Sequence, residues 1–161
     1  MAEEEQGGLA PFRAGGHFII AGYGIPGRAV AEALDVRHLP YCVLELNATT
    51  VHRCEKSGVH IVEGDVADPK VLQRAHIESA AALIIAIPDE KAALQATEVA
   101  RKLNPSLKII SRTHYISAGI EAKARGADAV IVAEQVVAQE MSRVVDEMFS
   151  SISPNASKLT S

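Results

Sequence analysis

The chain has 161 residues, 48% of them hydrophobic and none tryptophan, which suits one compact domain with a sizeable core and leaves little for a second. Its 16 Lys and Arg against 20 Asp and Glu give a formal charge of -4. With no basic block and only three Phe and three Tyr, the balance excludes nucleic acid as the main partner.

The longest uninterrupted apolar run, Ala80 to Ile87, has eight residues, far below the roughly 18 that suggest a membrane span. Direct membrane insertion by this chain is therefore not expected. The acidic start Met1-Ala2-Glu3-Glu4-Glu5 lacks the positive and apolar regions of a secretory signal, which predicts a cytoplasmic location. Cys42 and Cys54 have no companion at metal or redox spacing and read as packing thiols. His52 and Cys54 are two residues apart on a predicted helix, a step that turns side chains to different faces and disfavours shared metal ligation.

Residues 1–16, acidic and glycine-containing, and 150–161, rich in Ser, read as flexible tails around a domain at 17–149. Within it, short apolar runs alternate with amphipathic stretches, the pattern of βαβ units around a parallel sheet. The first strand, His17 to Ala21, runs into Gly22-Tyr23-Gly24-Ile25-Pro26-Gly27 and a helix from about Pro26 to Arg37. A second strand at Tyr41 to Leu46 leads to a helix at Ala48 to Lys56, stopped by Gly58, and a third strand at Val59 to Glu63. Asp68-Pro69 starts the next helix, because Asp accepts from free amides and Pro pre-sets φ.

The fourth strand, Ala81 to Ile87, is apolar throughout, as a strand covered on both faces must be. Asp89 caps a helix that ends at Asn104-Pro105; Lys108 to Arg112 supplies the fifth strand, and a helix from Ile116 to Arg125 stops at Gly126. Ala129 to Val132 is the sixth strand. A last helix, about Gln135 to Phe149, carries Val137, Met141, Val144, Val145 and Met148 on one stripe that fits either its own sheet or a partner protomer. Six strands with right-handed crossovers predict an α/β Rossmann-type, doubly wound parallel six-stranded sheet of order 3-2-1-4-5-6, helices on both faces, with its ligand above the switch between strands 1 and 4.

The glycine string follows a strand, opens a helix, and precedes an acidic residue, Glu45, 23 positions after Gly22, as the dinucleotide fingerprint requires. Gly22 permits the tight turn, Gly24 lets backbone approach phosphate, and Gly27 lets the helix close on the strand. Glu45 can accept from both ribose hydroxyls and would repel a 2′-phosphate, which favours NAD(H) or a simple adenine nucleotide (AMP, ADP or ATP) over NADP(H). Arg28 can touch phosphate or stand solvated. Asp65, in Gly64-Asp65-Val66, can meet the adenine amino group or bond its own turn. Arg112 can reach phosphate or pair with Asp89 or Glu134.

Catalysis finds little support. The residues four after Tyr23, Tyr41 and Tyr115 are Gly27, Glu45 and Gly119, so the Tyr-x-x-x-Lys pair of small reductases is absent, and so are the phosphate-loop and nucleophile-elbow strings. His114, at a strand end near the predicted site, is a candidate ligand contact rather than a base.

The order of motifs resembles the RCK (regulator of potassium conductance) N-terminal domain, also called the TrkA-N domain, from about His17 to Phe149. The resemblance rests on the glycine string, Val43-Leu44-Glu45-Leu46-Asn47, Gly64-Asp65, Ile85-Ala86-Ile87-Pro88-Asp89, Ile109-Ile110-Ser111-Arg112-Thr113-His114-Tyr115 and Arg125-Gly126-Ala127-Asp128. The Ser-Arg-Thr-His-Tyr segment and Glu45 look most like the cytoplasmic domains of Kef-type potassium/proton antiporters. It implies a non-enzymatic sensor of NAD(H), AMP, ADP or ATP that dimerises through its late helices and gates a membrane potassium channel or antiporter module. It adds Tyr23, Ile25, Pro26, Leu46, Asn47, Gly64, Val66, Ala86 and Ile87 to the expected ligand contacts. The chain differs from longer members in lacking a transmembrane part and a second RCK module, as an excised domain or a standalone subunit would. The rival expectation is an NAD-dependent oxidoreductase with its substrate site at a dimer interface.

Overall fold

The computed structural model describes residues 16–152. In chain order the elements are β1 (Phe18–Ala21), α1 (Ile25–Asp35), β2 (Tyr41–Glu45), α2 (Ala48–Lys56), β3 (Ile61–Glu63) and α3 (Pro69–Arg74). A 3-10 turn at Ile77–Ser79 leads to β4 (Ala82–Ile85), α4 (Glu90–Leu103), β5 (Lys108–Thr113), α5 (Ile116–Ala124), β6 (Ala129–Val132) and α6 (Ala133–Ile152). The six strands form one parallel sheet of order β3-β2-β1-β4-β5-β6, the doubly wound order the sequence predicts. Ala21 pairs with Leu44 on one side and Ile85 on the other, so β2, β1 and β4 reach the ligand edge together.

Several elements end short of their apolar runs, for local reasons. The strand expected to continue through Ile87 ends at Ile85: after Ala86 donates to the Ala21 carbonyl at 2.8 Å, β1 has already entered its glycine turn and offers no further partner. Val59, expected in the third strand, instead donates to the Cys54 carbonyl at 3.0 Å, closing α2 beyond Gly58 at φ +75°. α1 stops at Asp35 rather than Arg37 because His38 takes a left-handed φ of 53° and Leu39 turns back to bond the Leu34 carbonyl. α6 runs to Ile152, past the expected end at Phe149. The rest of the expected tails, 1–15 and 153–161, lies outside the described residues.

Alternation along the strands feeds two cores. One face carries Ile19, Leu44, Leu83, Ile85 and Ile109 against Leu72, Ile77 and Leu94, under α3 and α4. The other carries Ile20 and Val43 against Ala31 and Leu34 of α1. Every residue of β4 is buried, as a central strand requires.

The second face is only partly covered. Beyond α1, Ile84, Ile110 and Ile131 line an apolar groove of 520 Å³ that Val30 and Leu34 wall on one side and Val136 and Val137 on the other. None of the residues of α6 is buried, so its apolar stripe does not pack on its own sheet.

Candidate nucleotide site

The three fingerprint glycines occupy three different environments. Gly22 has φ +93°, a left-handed value that L side chains rarely adopt, and its N–H donates to the Leu44 carbonyl at 2.8 Å. A Cβ on Gly27 would fall 1.9 Å from the Gly22 carbonyl oxygen, so the first turn of α1 rests directly on the glycine turn. A Cβ on Gly24 would meet nothing within 4 Å. Two glycines therefore serve the chain, while Gly24 leaves space for something outside it.

The start of α1 faces that space without a side-chain cap. Asn47, Asp68 and Asp89 cap α2, α3 and α4 by accepting from Thr50, Lys70 and Ala92. At α1 the cap is Gly24, which has no side chain to offer, and the first turn has no acidic residue. Pro26 removes one free donor and fixes φ there. The remaining amides and the positive end of the helix dipole are left to an anion.

Glu45 ends β2 beside this turn. One carboxylate oxygen accepts from the Tyr23 backbone N–H and the other from that of Asn47, each at 2.9 Å. The expected ribose acceptor is thus also a brace that ties the glycine turn to the β2–α2 loop. Each oxygen keeps a lone pair for a further donor. β3 extends the rim, since the Gly64 N–H donates to the Glu45 carbonyl at 3.0 Å.

A pocket of 500 Å³ opens above these strand ends. Glu45, Leu46 and Asn47 form one wall, Gly64, Asp65 and Val66 a second, and Ile87 a third, so these expected contacts meet in one place. Leu44, Val66 and Ile87 give it apolar surface while Glu45, Asn47 and Asp65 give it polar groups, the mixture expected where an adenosine is to be held. Asp65 uses one oxygen to accept from Ala67 at 2.9 Å, the turn alternative, and has a second oxygen left. Pro88, Asp89 and Ala92 also line the pocket and were not among the expected contacts; the Ile-Pro-Asp string and the Asp89 cap were visible signals.

The remaining expected residues lie around the pocket. Tyr23, Gly24 and Arg28 line a cleft between α1 and α2. Pro26, Ala86 and Arg112 border the apolar groove on the α1 face. Arg112 forms an ion pair with neither Asp89 nor Glu134. Ile25 is 79% exposed at the head of α1. His114 donates its backbone N–H to Glu90 at 2.8 Å, so a second glutamate braces the β5–α5 junction as Glu45 braces the first.

Cys42 and Cys54 are both free and buried, in agreement with packing roles, and burial pushes the Cys42 thiol up to about 11. Among the described residues no helix is long and apolar enough to cross a membrane.

The TrkA-N domain model matches residues 18–133. The chain belongs to the TrkA-N domain family. It is 33% identical over 130 residues to the putative cation/proton antiporter YbaL of Escherichia coli, covering 81% of this chain and 23% of the antiporter. It is 36% identical over 115 residues to the putative K(+) efflux antiporter KefB of Alkalimonas amylolytica, covering 71% of this chain and 17% of that protein. This TrkA-N chain thus spans less than a quarter of the length of either relative.

The crystal structure of the YbaL TrkA-N domain superposes with a TM-score of 0.77, covering 81% of this chain and 96% of that one. The AMP-bound Kef C-terminal domain of Shewanella denitrificans shares the fold, with a TM-score of 0.64 at 24% identity over 80% of this chain and 79% of that one.

Proposed function

We propose that this TrkA-N domain binds an adenine-containing nucleotide, NAD(H) or one of AMP, ADP and ATP, and that occupancy regulates a potassium channel or a potassium/proton antiporter. Glu45 carries the reading. Its carboxylate is fixed by the Tyr23 and Asn47 amides at the edge of the pocket, with lone pairs left for ribose hydroxyls, beside a helix start without a side-chain cap. The adenine lies against Leu44, Val66 and Ile87, and the second oxygen of Asp65 meets its amino group. The phosphate takes the amides of α1 at Gly24.

The role is regulatory rather than enzymatic, and the domain works at the cytoplasmic side of a membrane transporter as a homodimer. Met141, Val144, Val145 and Met148 of α6 enter the apolar groove of a second copy, whose wall Val136 and Val137 supply, giving a reciprocal interface. α1 connects the two regions, since it starts at the phosphate site and walls the groove with Val30 and Leu34. A nucleotide that prefers one arrangement of α1 therefore shifts the dimer.

Calorimetric titration of the purified chain with AMP, ADP, ATP, NAD+ and NADH tests this. Saturable binding of at least one, abolished by Glu45→Ala, is expected; binding of none of them removes the reading. Steady oxidation of NADH with carbonyl substrates would replace it with the oxidoreductase.

A further inference from the structure

Tyr23, Arg28, Thr50, Arg53, Cys54 and Ser57 lie together on the outer side of the glycine turn, away from the adenosine pocket. α1 and α2 stand apart there and leave a cleft of 280 Å³. α2 and its C-cap present Thr50, Arg53, Cys54 and Ser57 to it, positions i, i+3, i+4 and i+7 of a single helical face. That face would ordinarily carry the apolar residues that close one helix on its neighbour. Here Cys54 is its apolar member, and polar and cationic groups hold the other positions.

Arg28 faces the cleft from the first turn of α1, opposite Arg53. Neither guanidinium has an ion-pair or hydrogen-bond partner among the described residues. Glu32, four residues after Arg28 and well spaced for a helical pair, does not close one. By contrast Arg101 pairs with Asp128, Arg125 with Glu98 and Glu121, and Arg143 with Glu140 and Glu147, while Arg112 on the other side of α1 has no ion pair among the described residues. No acidic side chain lines the cleft. Glu45 acts on Cys54, and Glu32 and Asp35 on Tyr23, from outside the cleft, so the two guanidiniums are the charged groups that face into it.

Neutral side chains complete the lining. Thr50 contributes a hydroxyl and Tyr23 lines the cleft, while the Ser57 hydroxyl spends its proton on the Arg53 carbonyl at 3.0 Å. Two planar guanidinium forks with the Thr50 hydroxyl in the same cleft match the several oxygens of a phosphate group better than the two of a carboxylate. We propose that the α1–α2 cleft is a second anion site, which binds a phosphate group through Arg28 and Arg53. The cleft shares no lining residue with the adenosine pocket and meets the proposed nucleotide phosphate position at Gly24; as a site for a free phosphate it does not depend on the nucleotide reading.

Two sources share this chemistry: a free phosphate or small phosphomonoester, and a further phosphate borne by the ribose of a nucleotide seated at the turn. Tyr23 makes the second geometrically reasonable, because its amide holds Glu45 while the residue lines the cleft. In that case the two arginines offset the repulsion that Glu45 alone would exert on a 2′-phosphate.

The test is nitrogen-15 NMR of the Arg Nε–H groups in the full chain, titrated with inorganic phosphate at constant ionic strength, with NAD+ and NADP+ compared in parallel. A saturable shift at Arg28 and Arg53, weakened about tenfold in Arg53→Gln and in Arg28→Gln while both variants keep the wild-type amide spectrum, is expected with phosphate or with NADP+. A response to NADP+ beyond that to NAD+ assigns the ribose-borne phosphate; a response to inorganic phosphate, with NAD+ and NADP+ alike, assigns the free one. Shifts that fail to saturate with both probes overturn the second site. That result leaves nucleotide binding at Glu45 standing, and phosphate binding without any nucleotide binding leaves the cleft standing.

Discussion

The carboxylate of Glu45 accepts a hydrogen bond from the backbone N–H of Tyr23, 22 residues earlier in the chain, at 2.9 Å. Its other oxygen holds Asn47, so one side chain fixes both loops that flank the pocket. In Glu45→Gln the amide oxygen can keep one of these bonds while its NH2 group opposes the other donor. A stability loss of about 1 kcal/mol in urea unfolding is expected. Nucleotide affinity should fall about tenfold beside it, because the loop is loosened and an acceptor is lost. Unchanged stability with reduced affinity would show that the brace is dispensable.

Gly24 and Gly27 separate a requirement of the ligand from a requirement of the fold. Gly24 has ordinary extended dihedrals, φ -76° and ψ -161°, and space around it, so Gly24→Ala should leave the melting temperature within about 2 °C of wild type. Its methyl projects where phosphate is expected, and nucleotide affinity should drop. Gly27→Ala puts a carbon 1.9 Å from the Gly22 oxygen, and α1 must move off the turn. That variant should lose several kcal/mol, roughly 3 or more, or fail to fold. Thermal melts and calorimetry on the pair give the readout, and equal effects of both substitutions would contradict the division of labour.

Burial raises the Cys42 thiol from 9.0 to about 11, which predicts an alkaline loss of stability. The folded protein holds this proton more tightly than the unfolded chain does. The thiol's contribution is therefore fully present below pH 9 and lost as the pH rises through about 11. Urea midpoints measured from pH 8 upward should fall for wild type and fall less for Cys42→Val. A parallel decline in both would assign the loss to other groups, among them Tyr41, pushed up to about 12 by burial and by its bond to Asp35.

The sheet order and the location of the pocket were legible because each rests on a local rule. Apolar runs mark strands, and the glycine string with Glu45 after β2 marks the switch point. Strand ends were less legible. Ala86 and Ile87 are as apolar as the residues before them, and only the departure of β1 into its turn decides that β4 ends at Ile85. The Arg28–Arg53 cleft depends on the separation of α1 and α2, which no spacing along the chain encodes. Glu45 as a brace was hidden for the same reason: its partner Tyr23 lies across β1 and β2, and donates through backbone that is identical for any residue.

The stripe on α6 reads the same in sequence whether it covers its own sheet or another, and the structure leaves Val137 51% and Met141 66% exposed. Beside it the groove over Ile84, Ile110 and Ile131 is apolar and uncovered. A charge on α6 should therefore cost the folded protomer little, since none of its residues is buried there, while desolvating that charge in a partner's groove is costly. Met141→Asp and Val137→Asp are expected to keep the wild-type circular dichroism and to raise the dimer dissociation constant at least about tenfold. Analytical ultracentrifugation across a concentration series measures it. A wild-type chain that stays monomeric throughout, or an aspartate variant that dimerises as well as wild type, would move the interface away from α6.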